Sequence, residues 1–195
     1  MELTGIIELL ERNGMAITTL LERMDRSVAG WKPSPDKWSA LEIASHLLDE
    51  ERDDFRRRIR LTLEDPQQEW PPIDPEGWVT EHSYAARNLD EVVTALRDER
   101  HSSIEWLRSV DLDLEASHLH PQLGPMRIGD LLAAWAAHDL LHLRQLTRIQ
   151  FQWLERELMR SSRTYFDTDG KKRSNAKGTD RLIVVISHHT IDTTT

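Results

Sequence analysis

Apolar residues recur every three or four positions in four segments of the chain, a spacing that predicts four amphipathic helices. The first segment covers residues 3–28, with one gap around Gly14, and the third runs from about 84 to 110. The fourth spans roughly 128–155, where apolar positions alternate by three and four as in a bundle helix. Because a helix with one apolar stripe must bury it against another element, the pattern predicts an antiparallel bundle.

The second helix carries the clearest start signal. Ser39 and Glu42 have the spacing of a capping box, and Trp38 precedes them as an apolar residue that can pack on Ile43. These signals place the N-cap at Ser39. The apolar stripe that follows consists of Leu41, Ala44, Leu48, Phe55 and Ile59.

Three segments without helical spacing separate the helices. Residues 30–38 contain two prolines, and residues 64–78, with four prolines and two tryptophans, are predicted to form a long surface loop. Residues 111–127 are interpreted as a loop that leads to the fourth helix, with His118 and His120 at the surface. No segment between the helices predicts a strand, so the expected fold class is all-α, an antiparallel four-helix bundle.

The last part of the chain differs in composition. From about residue 160 it is polar and rich in turn-forming residues, and the run RLIVVI at 181–186 is strand-like without an obvious partner. We expect residues 1–155 to form the helical domain and residues 156–195 to form a short C-terminal appendage, in part disordered, whose role the sequence does not assign.

Composition and charge exclude several classes of function. The 195 residues contain no cysteine, which removes disulfides, zinc–thiolate sites and a cysteine nucleophile. The formal charge of −9 argues against nucleic-acid binding. The N-terminus is acidic and amphipathic, unlike a signal peptide, and the apolar run at 131–137 is too short to span a bilayer. We therefore expect a cytoplasmic protein with a small-molecule substrate and no membrane partner.

Two histidines lie on the apolar seam of the fourth helix. His138 and His142 are four residues apart, so both imidazoles lie on one helix face, between Trp135 and Ile149. Nine histidines in the chain make such a spacing easy to obtain by chance. Buried imidazoles need partners, however. Either a shared metal ion or carboxylates on facing helices would satisfy them, and periodicity alone leaves both interpretations open.

A third metal ligand would have to come from another helix or a loop. His46 lies about 60° from Ile43 around the second helix, at the edge of its apolar arc. Glu50, one turn later, shares that edge and is a candidate ligand, hydrogen-bond acceptor or base. The histidines that qualify by position are His46, His101, His82, His118 and His120.

Two strings of sequence, DKWSALEIASHLLDEERDDFRRRI and later GPMRIGDLLAAWAAHDLLHLRQL, resemble the DinB/YfiT-like superfamily. The shared pattern is a tryptophan–serine helix start that leads to one histidine, followed in the last helix by H-x-x-x-H and a glutamine. The resemblance covers roughly residues 3–150 and implies an up-down-down-up bundle with a divalent metal held by three histidines. By motif, those ligands are His46, His138 and His142, and Gln145 matches the glutamine.

The chemistry implied by the resemblance is that of an open metal site. Three imidazole ligands leave coordination positions free, and nitrogen ligands suit zinc, nickel or iron. Family members with assigned activities include enzymes that use low-molecular-weight thiols (bacillithiol, mycothiol or glutathione) in transfer or isomerisation, so the resemblance implies thiol activation, and metal-assisted hydrolysis of a small molecule is the close alternative. Glu50 and Gln145 are the candidates for supporting catalytic roles. A homodimer through bundle faces is compatible with this family.

Two other functions remain open at this point. The bundle could be a non-catalytic module that binds a metal or a small ligand. Alternatively, His138 and Asp139 could form the HD pair of a helical phosphohydrolase, which also needs an upstream histidine and a distal aspartate, for which His118 and Asp167 are poor candidates. Otherwise Asp139 is predicted to form a solvated or interhelical salt bridge.

Overall fold

A computed structural model describes residues 2–167 and shows a helical bundle with one small hairpin. The chain divides into two compact units, Met1–Gln150 and Phe151–Thr195, and every site discussed below lies in the first. The elements in chain order are α1 (Leu3–Glu22), α2 (Arg26–Ala29), α3 (Ala40–Asp49), a π-helical segment (Glu50–Phe55), α4 (Arg56–Glu64), α5 (Pro75–Glu81), a 3-10 turn (Tyr84–Ala86), α6 (Leu89–Ser109), β1 (Ser117–His120), β2 (Gly124–Arg127) and α7 (Ile128–Asp167).

Two clusters of apolar side chains fill the bundle and reveal the direction of each helix. One cluster joins the end of α1 and the starts of α3 and α6 to the middle of α7. The other joins the start of α1, the end of α6 and the start of α7 to Phe55 and Ile59. Helices α1 and α7 therefore run one way between the clusters, and α3–α4 and α6 run the other way. This confirms the expected up-down-down-up four-helix bundle.

The capping box predicted at the start of α3 is present. The Glu42 backbone N–H donates to Ser39 Oγ over 3.2 Å, and the Ser39 N–H donates to the Glu42 carboxylate over 2.7 Å. Trp38 packs against the cluster that contains Ile43. All ten residues of α3 are buried, so this helix is enclosed on every side and His46 lies inside the protein instead of at an edge.

Several predicted helix boundaries were wrong, and polar caps explain most of the differences. The first segment is two helices, because the Asp25 side chain accepts from the Ser27 N–H and starts α2. The third begins at Leu89, after Asn88 accepts from the N–H groups of α6, and Tyr84 belongs to a separate turn. Helix α7 continues past residue 155 to Asp167, a stretch that contains no glycine or proline.

The two segments predicted to be long loops also contain a helix and a hairpin that the sequence pattern did not predict. The end of the predicted loop 64–78 is the start of α5, where Asp74 accepts from the Gly77 N–H over 2.9 Å and Pro75 takes the first helical position. Strands β1 and β2 pair as an antiparallel hairpin, so the expectation of no strand was wrong. Gly124 has a φ of 76°, a left-handed conformation that suits glycine at this turn.

His118 is a buried residue of β1 and does not lie at the surface as predicted. Its ring stacks on Trp70 with centroids 4.3 Å apart, and its Nδ1 lies 3.1 Å from the Pro66 carbonyl oxygen, within hydrogen-bond distance. These contacts fasten the segment after α4 to the hairpin.

Two further predictions concern the C-terminal part of the chain and the absence of a membrane-spanning helix. The expected strand-like run at 181–186, and most of the expected C-terminal appendage, lie outside the described residues. Between residues 2 and 167, no helix is both long enough and apolar enough to cross a membrane.

Candidate metal centre

Three histidine side chains meet inside the bundle. Helix α7 presents His138 and His142 on one face, and α3 presents His46 opposite them. The Nε2 atoms of His138 and His142 are 3.0 Å apart, and those of His46 and His138 are 3.2 Å apart. One ligand nitrogen from each ring lies within 4.8 Å of the others. The structure thus brings together the three histidines that the family resemblance selected.

The spacing of these nitrogens fits a divalent metal ion. Nitrogens bound at about 2.0–2.1 Å to one tetrahedral ion lie roughly 3.3 Å apart, close to the two Nε2 separations above. Among the described residues, His46, His138 and His142 form the group of three potential metal-binding side chains whose ligand atoms lie this close together. A cation between the three rings would take a lone pair from each of them.

Burial keeps the three imidazoles neutral. Desolvation, reinforced by the neighbouring His142, lowers the pKa of His46 to about 3. Desolvation and the other two histidines lower the pKa of His138 to about 3, and burial also lowers the pKa of His142. A neutral imidazole has a lone pair to give to a metal, so the site is ready for a cation at neutral pH.

Gln145 orients one of the ligands. Its Oε1 lies 2.8 Å from His142 Nδ1, so an N–H at Nδ1 donates to it and leaves the Nε2 lone pair facing the cluster. The alternating spacing that puts His138, His142 and Ile149 on the apolar seam also predicts Gln145 there, but Gln145 is exposed and the next residue, Leu146, is buried. Gln145 therefore reaches the site from the surface side of α7.

Glu50 lies behind His46. Its Oε1 is 4.0 Å from His46 Nδ1, and neither of these buried atoms has a hydrogen-bond partner among the described residues. Burial and the adjacent negative charge of Asp54 raise the pKa of Glu50 to about 8. Asp54 in turn is 2.5 Å from Arg58 Nε. A carboxyl group on the far side of a ligand imidazole is a common device for orienting a metal-binding histidine.

The π-helical segment explains how two consecutive glutamates are buried. A π turn holds more residues than an α turn, so Glu50 and Glu51 both point into the interior. Phe55, at the end of the segment, stacks on Trp135 at 5.5 Å and lies 5.3 Å from the His138 ring. The aromatic ring of Phe55 therefore covers one side of the histidine cluster.

Comparison with known proteins agrees with this geometry. The sequence profile of the DinB superfamily matches residues 9–146. The chain belongs to the DinB superfamily. Among curated proteins, none matches the chain significantly.

Two solved structures share this helical fold. YfiT from Bacillus subtilis, described as a probable metal-dependent hydrolase with an unusual four-helix bundle topology, aligns with a TM-score of 0.70 at 16% identity, over 78% of this chain and 87% of YfiT. The four-helix bundle protein TT2238 aligns with a TM-score of 0.56 at 22% identity, over 75% of this chain and 99% of that one. At these identities the matches establish the fold.

A second buried cluster lies beside the histidine cluster of this DinB protein, and its central residue is Arg100. The Arg100 guanidinium donates to the Glu51 carboxylate over 2.7–3.0 Å and to the Asp139 carboxylate over 2.7 and 2.9 Å. It also donates to the Leu10 carbonyl oxygen over 2.6 Å, and Trp135 Nε1 donates to Glu51 over 3.2 Å. This Arg100 cluster joins α1, the π segment, α6 and α7.

The position of Asp139 decides between two sequence interpretations. Its carboxylate is buried and bound by Arg100, which confirms the predicted interhelical salt bridge. The three-histidine group does not include it. An HD-type site would need this carboxylate on the metal, so the geometry argues against a phosphohydrolase of that type.

The other candidate histidines serve elsewhere in the DinB bundle or face solvent. Asp49, which is buried, lies 2.7 Å from His82 Nδ1 and accepts from the Tyr84 hydroxyl at 2.8 Å and from Arg87 at 3.3 Å. These bonds hold the segment after α5 against α3. His101 is exposed.

Proposed function

We propose that the protein is a metal-dependent enzyme that acts on a small molecule, with His46, His138 and His142 holding a divalent cation. The observation that carries the proposal is the convergence of three Nε2 atoms from two helices, those of the buried His46 and His142 and of the half-buried His138. The description of YfiT as a probable metal-dependent hydrolase supports it. Because all three ligands are neutral nitrogens, we expect zinc, nickel or iron.

The chemistry follows from how the chain surrounds such a cation. When bound, the cation supplies Lewis-acid polarisation of a substrate carbonyl and acidifies a water or a thiol. Gln145 holds His142 in the tautomer that directs Nε2 inward, and the Glu50 carboxyl group lies 4.0 Å behind His46 Nδ1. Phe55 and Trp135 keep water from one side of His138.

Hydrolysis and thiol transfer are the two reactions that suit this site. We favour metal-assisted hydrolysis of an ester or amide, since a cation with three neutral ligands keeps its full positive charge for a carbonyl oxygen. Transfer from a low-molecular-weight thiol is the second candidate. Because the chain has no cysteine, the nucleophilic sulfur would have to arrive with a cosubstrate.

Metal content is the first test. Protein purified without a histidine tag should contain about one divalent ion per chain by elemental analysis, and His138→Ala should contain little. His101→Ala, which removes an exposed histidine, is the matched control and should keep the full amount. A His138→Ala protein with unchanged stoichiometric metal would contradict the assigned site.

A substrate screen then separates the functional classes. Metal-loaded protein is assayed on simple esters and amides, and separately on electrophiles with bacillithiol, mycothiol or glutathione, with His138→Ala as the control throughout. Turnover without a thiol supports hydrolysis, and turnover that requires one supports transfer. If no reaction occurs but a small molecule binds tightly, the protein is a non-catalytic binding module and the enzymatic proposal is wrong.

A further inference from the structure

The Arg100 cluster connects the two parts of the chain that carry the metal ligands. Glu51, in the π-helical segment that continues α3, follows His46 by five residues. Asp139 directly follows His138 on α7. Arg100 lies on α6, which contributes no ligand, and binds both carboxylates at once. One guanidinium therefore bridges the His46 side of the site and the side that bears His138 and His142.

The Arg100 side chain and its two partner carboxylates are buried and tightly packed. Arg100 is only 6% exposed, and both carboxylates are 1% exposed. Its side chain lies against Gly14 of α1, where a Cβ atom would sit 2.7 Å from Arg100 Cγ. A side chain larger than hydrogen at position 14 would push Arg100 away, so the local sequence of α1 leaves room for this arginine.

A bridge of this kind matters because the ligand set is divided between helices. A metal site needs its ligands held within about 0.5 Å of the productive geometry. His138 and His142 share one helix, whereas His46 depends on the distance between α3 and α7. The planar guanidinium, with two bonds to Asp139 and three contacts to Glu51, fixes that distance more rigidly than apolar packing does.

We propose that Arg100 is a positioning residue that sets the affinity of the three-histidine site for a divalent cation, by holding Glu51 and Asp139 in one buried ion-pair cluster. The proposal rests on the metal site of the proposed function. It assigns to α6 a role in metal binding, although this helix supplies no ligand.

Titration with Co²⁺ tests the proposal, since its visible absorption reports both affinity and coordination geometry. Metal-free Arg100→Gln should bind Co²⁺ about 10–100-fold more weakly than the parent protein, with an altered absorption spectrum. Arg56→Gln is the matched control, because Arg56 donates to Glu99 and Ser103, both on α6. Its affinity for Co²⁺ should change less than about twofold and its spectrum should stay the same, even where its thermal stability falls.

Two gentler variants keep the test decisive if Arg100→Gln does not fold. Asp139→Asn retains the side-chain shape and should weaken Co²⁺ binding in the same direction, and Arg100→Lys, which cannot span both carboxylates, should be intermediate. In the Arg100→Gln/Asp139→Asn double variant the losses should not add, because both changes break one bridge.

Two results would contradict different claims. A folded Asp139→Asn or Arg100→Gln protein that binds Co²⁺ as tightly as the parent, with the same spectrum, would overturn the role of Arg100. A parent protein that does not bind Co²⁺ at all would instead overturn the proposed metal site.

Discussion

The histidine cluster and the Arg100 cluster lie side by side in the same bundle, yet the polar groups of the two clusters are paired in opposite ways. In the Arg100 cluster, the guanidinium donors are matched by two carboxylates and a carbonyl oxygen. In the histidine cluster, three neutral rings direct their Nε2 atoms at one another, and His46 Nδ1 has no partner among the described residues. The first cluster is complete within the chain, and the second is the site where we propose that a cation binds.

This difference distinguishes the part of the interior whose polar groups satisfy one another from the part where we propose chemistry. Buried polar groups that satisfy one another stabilise a unique arrangement, whereas local departures from that rule concentrate at functional sites. Breaking the Arg100 cluster should therefore lower stability as well as the affinity of the site for a cation, whereas changes in the histidine cluster should act mainly through pH and metal.

The largest expected effect of a single substitution comes from breaking the complete cluster, the one around Arg100. Arg100→Met leaves two carboxylates buried without a counter-charge, and should lower the free energy of unfolding of the metal-free protein by about 3–5 kcal/mol. Urea denaturation measures it. The triple variant Arg100→Met, Glu51→Leu, Asp139→Leu removes all the charges together and should be far more stable than the single variant. An Arg100→Met protein within about 1 kcal/mol of the parent would show that the cluster is not self-contained.

The incomplete cluster should make the metal-free protein sensitive to acid. The folded-state pKa of His46 and of His138 is lowered from 6.5 to about 3, and that of His142 is lowered in the same direction. The stability that these neutral imidazoles contribute is therefore fully present above pH 6.5 and is lost as the pH falls below it. His46 and His138 should each cost about 1.4 kcal/mol of stability per pH unit between pH 6.5 and about 3. The measurement is urea denaturation across the range.

The matched control for this pH effect is the variant with all three histidines replaced by glutamine. Subtracting its pH profile removes the contribution of carboxylates elsewhere, and the remaining slope belongs to the cluster. Equal slopes for the parent and the triple variant would mean that the imidazoles are hydrated and not buried as described.

The smallest expected effect concerns Gln145, which touches the incomplete cluster from its edge. Gln145→Ala removes the acceptor of His142 Nδ1 and should weaken metal binding about tenfold, with little change in thermal stability. Competition with a chelator measures the affinity. Gln150→Ala, at another glutamine of α7, should leave it unchanged, and equal affinities for both variants would contradict the orienting role of Gln145.

Much of the fold and the ligand set followed from the sequence because it depends on regular spacing. The apolar periods located the four main helices, and four-residue spacing put His138 and His142 on one face. Spacing could not choose His46, since α3 is buried on all sides and its periodicity does not identify one inner face. The choice came from the motif KWSALEIASH, and the geometry agrees with it.

The Arg100 cluster was missed because its partners are remote in sequence. Arg100 is 49 residues from Glu51 and 39 from Asp139, so no local pattern pairs them. A weaker signal was present. Arg100 follows Leu96 by four residues and precedes Ile104 by four, which is a core position on α6. Glu51 follows Leu48 by three residues and precedes Phe55 by four, which is also the spacing of a core position. A charged residue at a core position indicates a buried counter-charge.

The π-helical segment Glu50–Phe55 is the place where a continuous helix takes up one residue more than α-helical winding holds. A residue inserted or deleted elsewhere in α3 or α4 would rotate every later position by about 100°. Within the π turn the extra residue is absorbed, and the helix on either side keeps its phase. This turn is therefore where the helix accommodates a change of one residue in chain length while Phe55 and Ile59 still face the core.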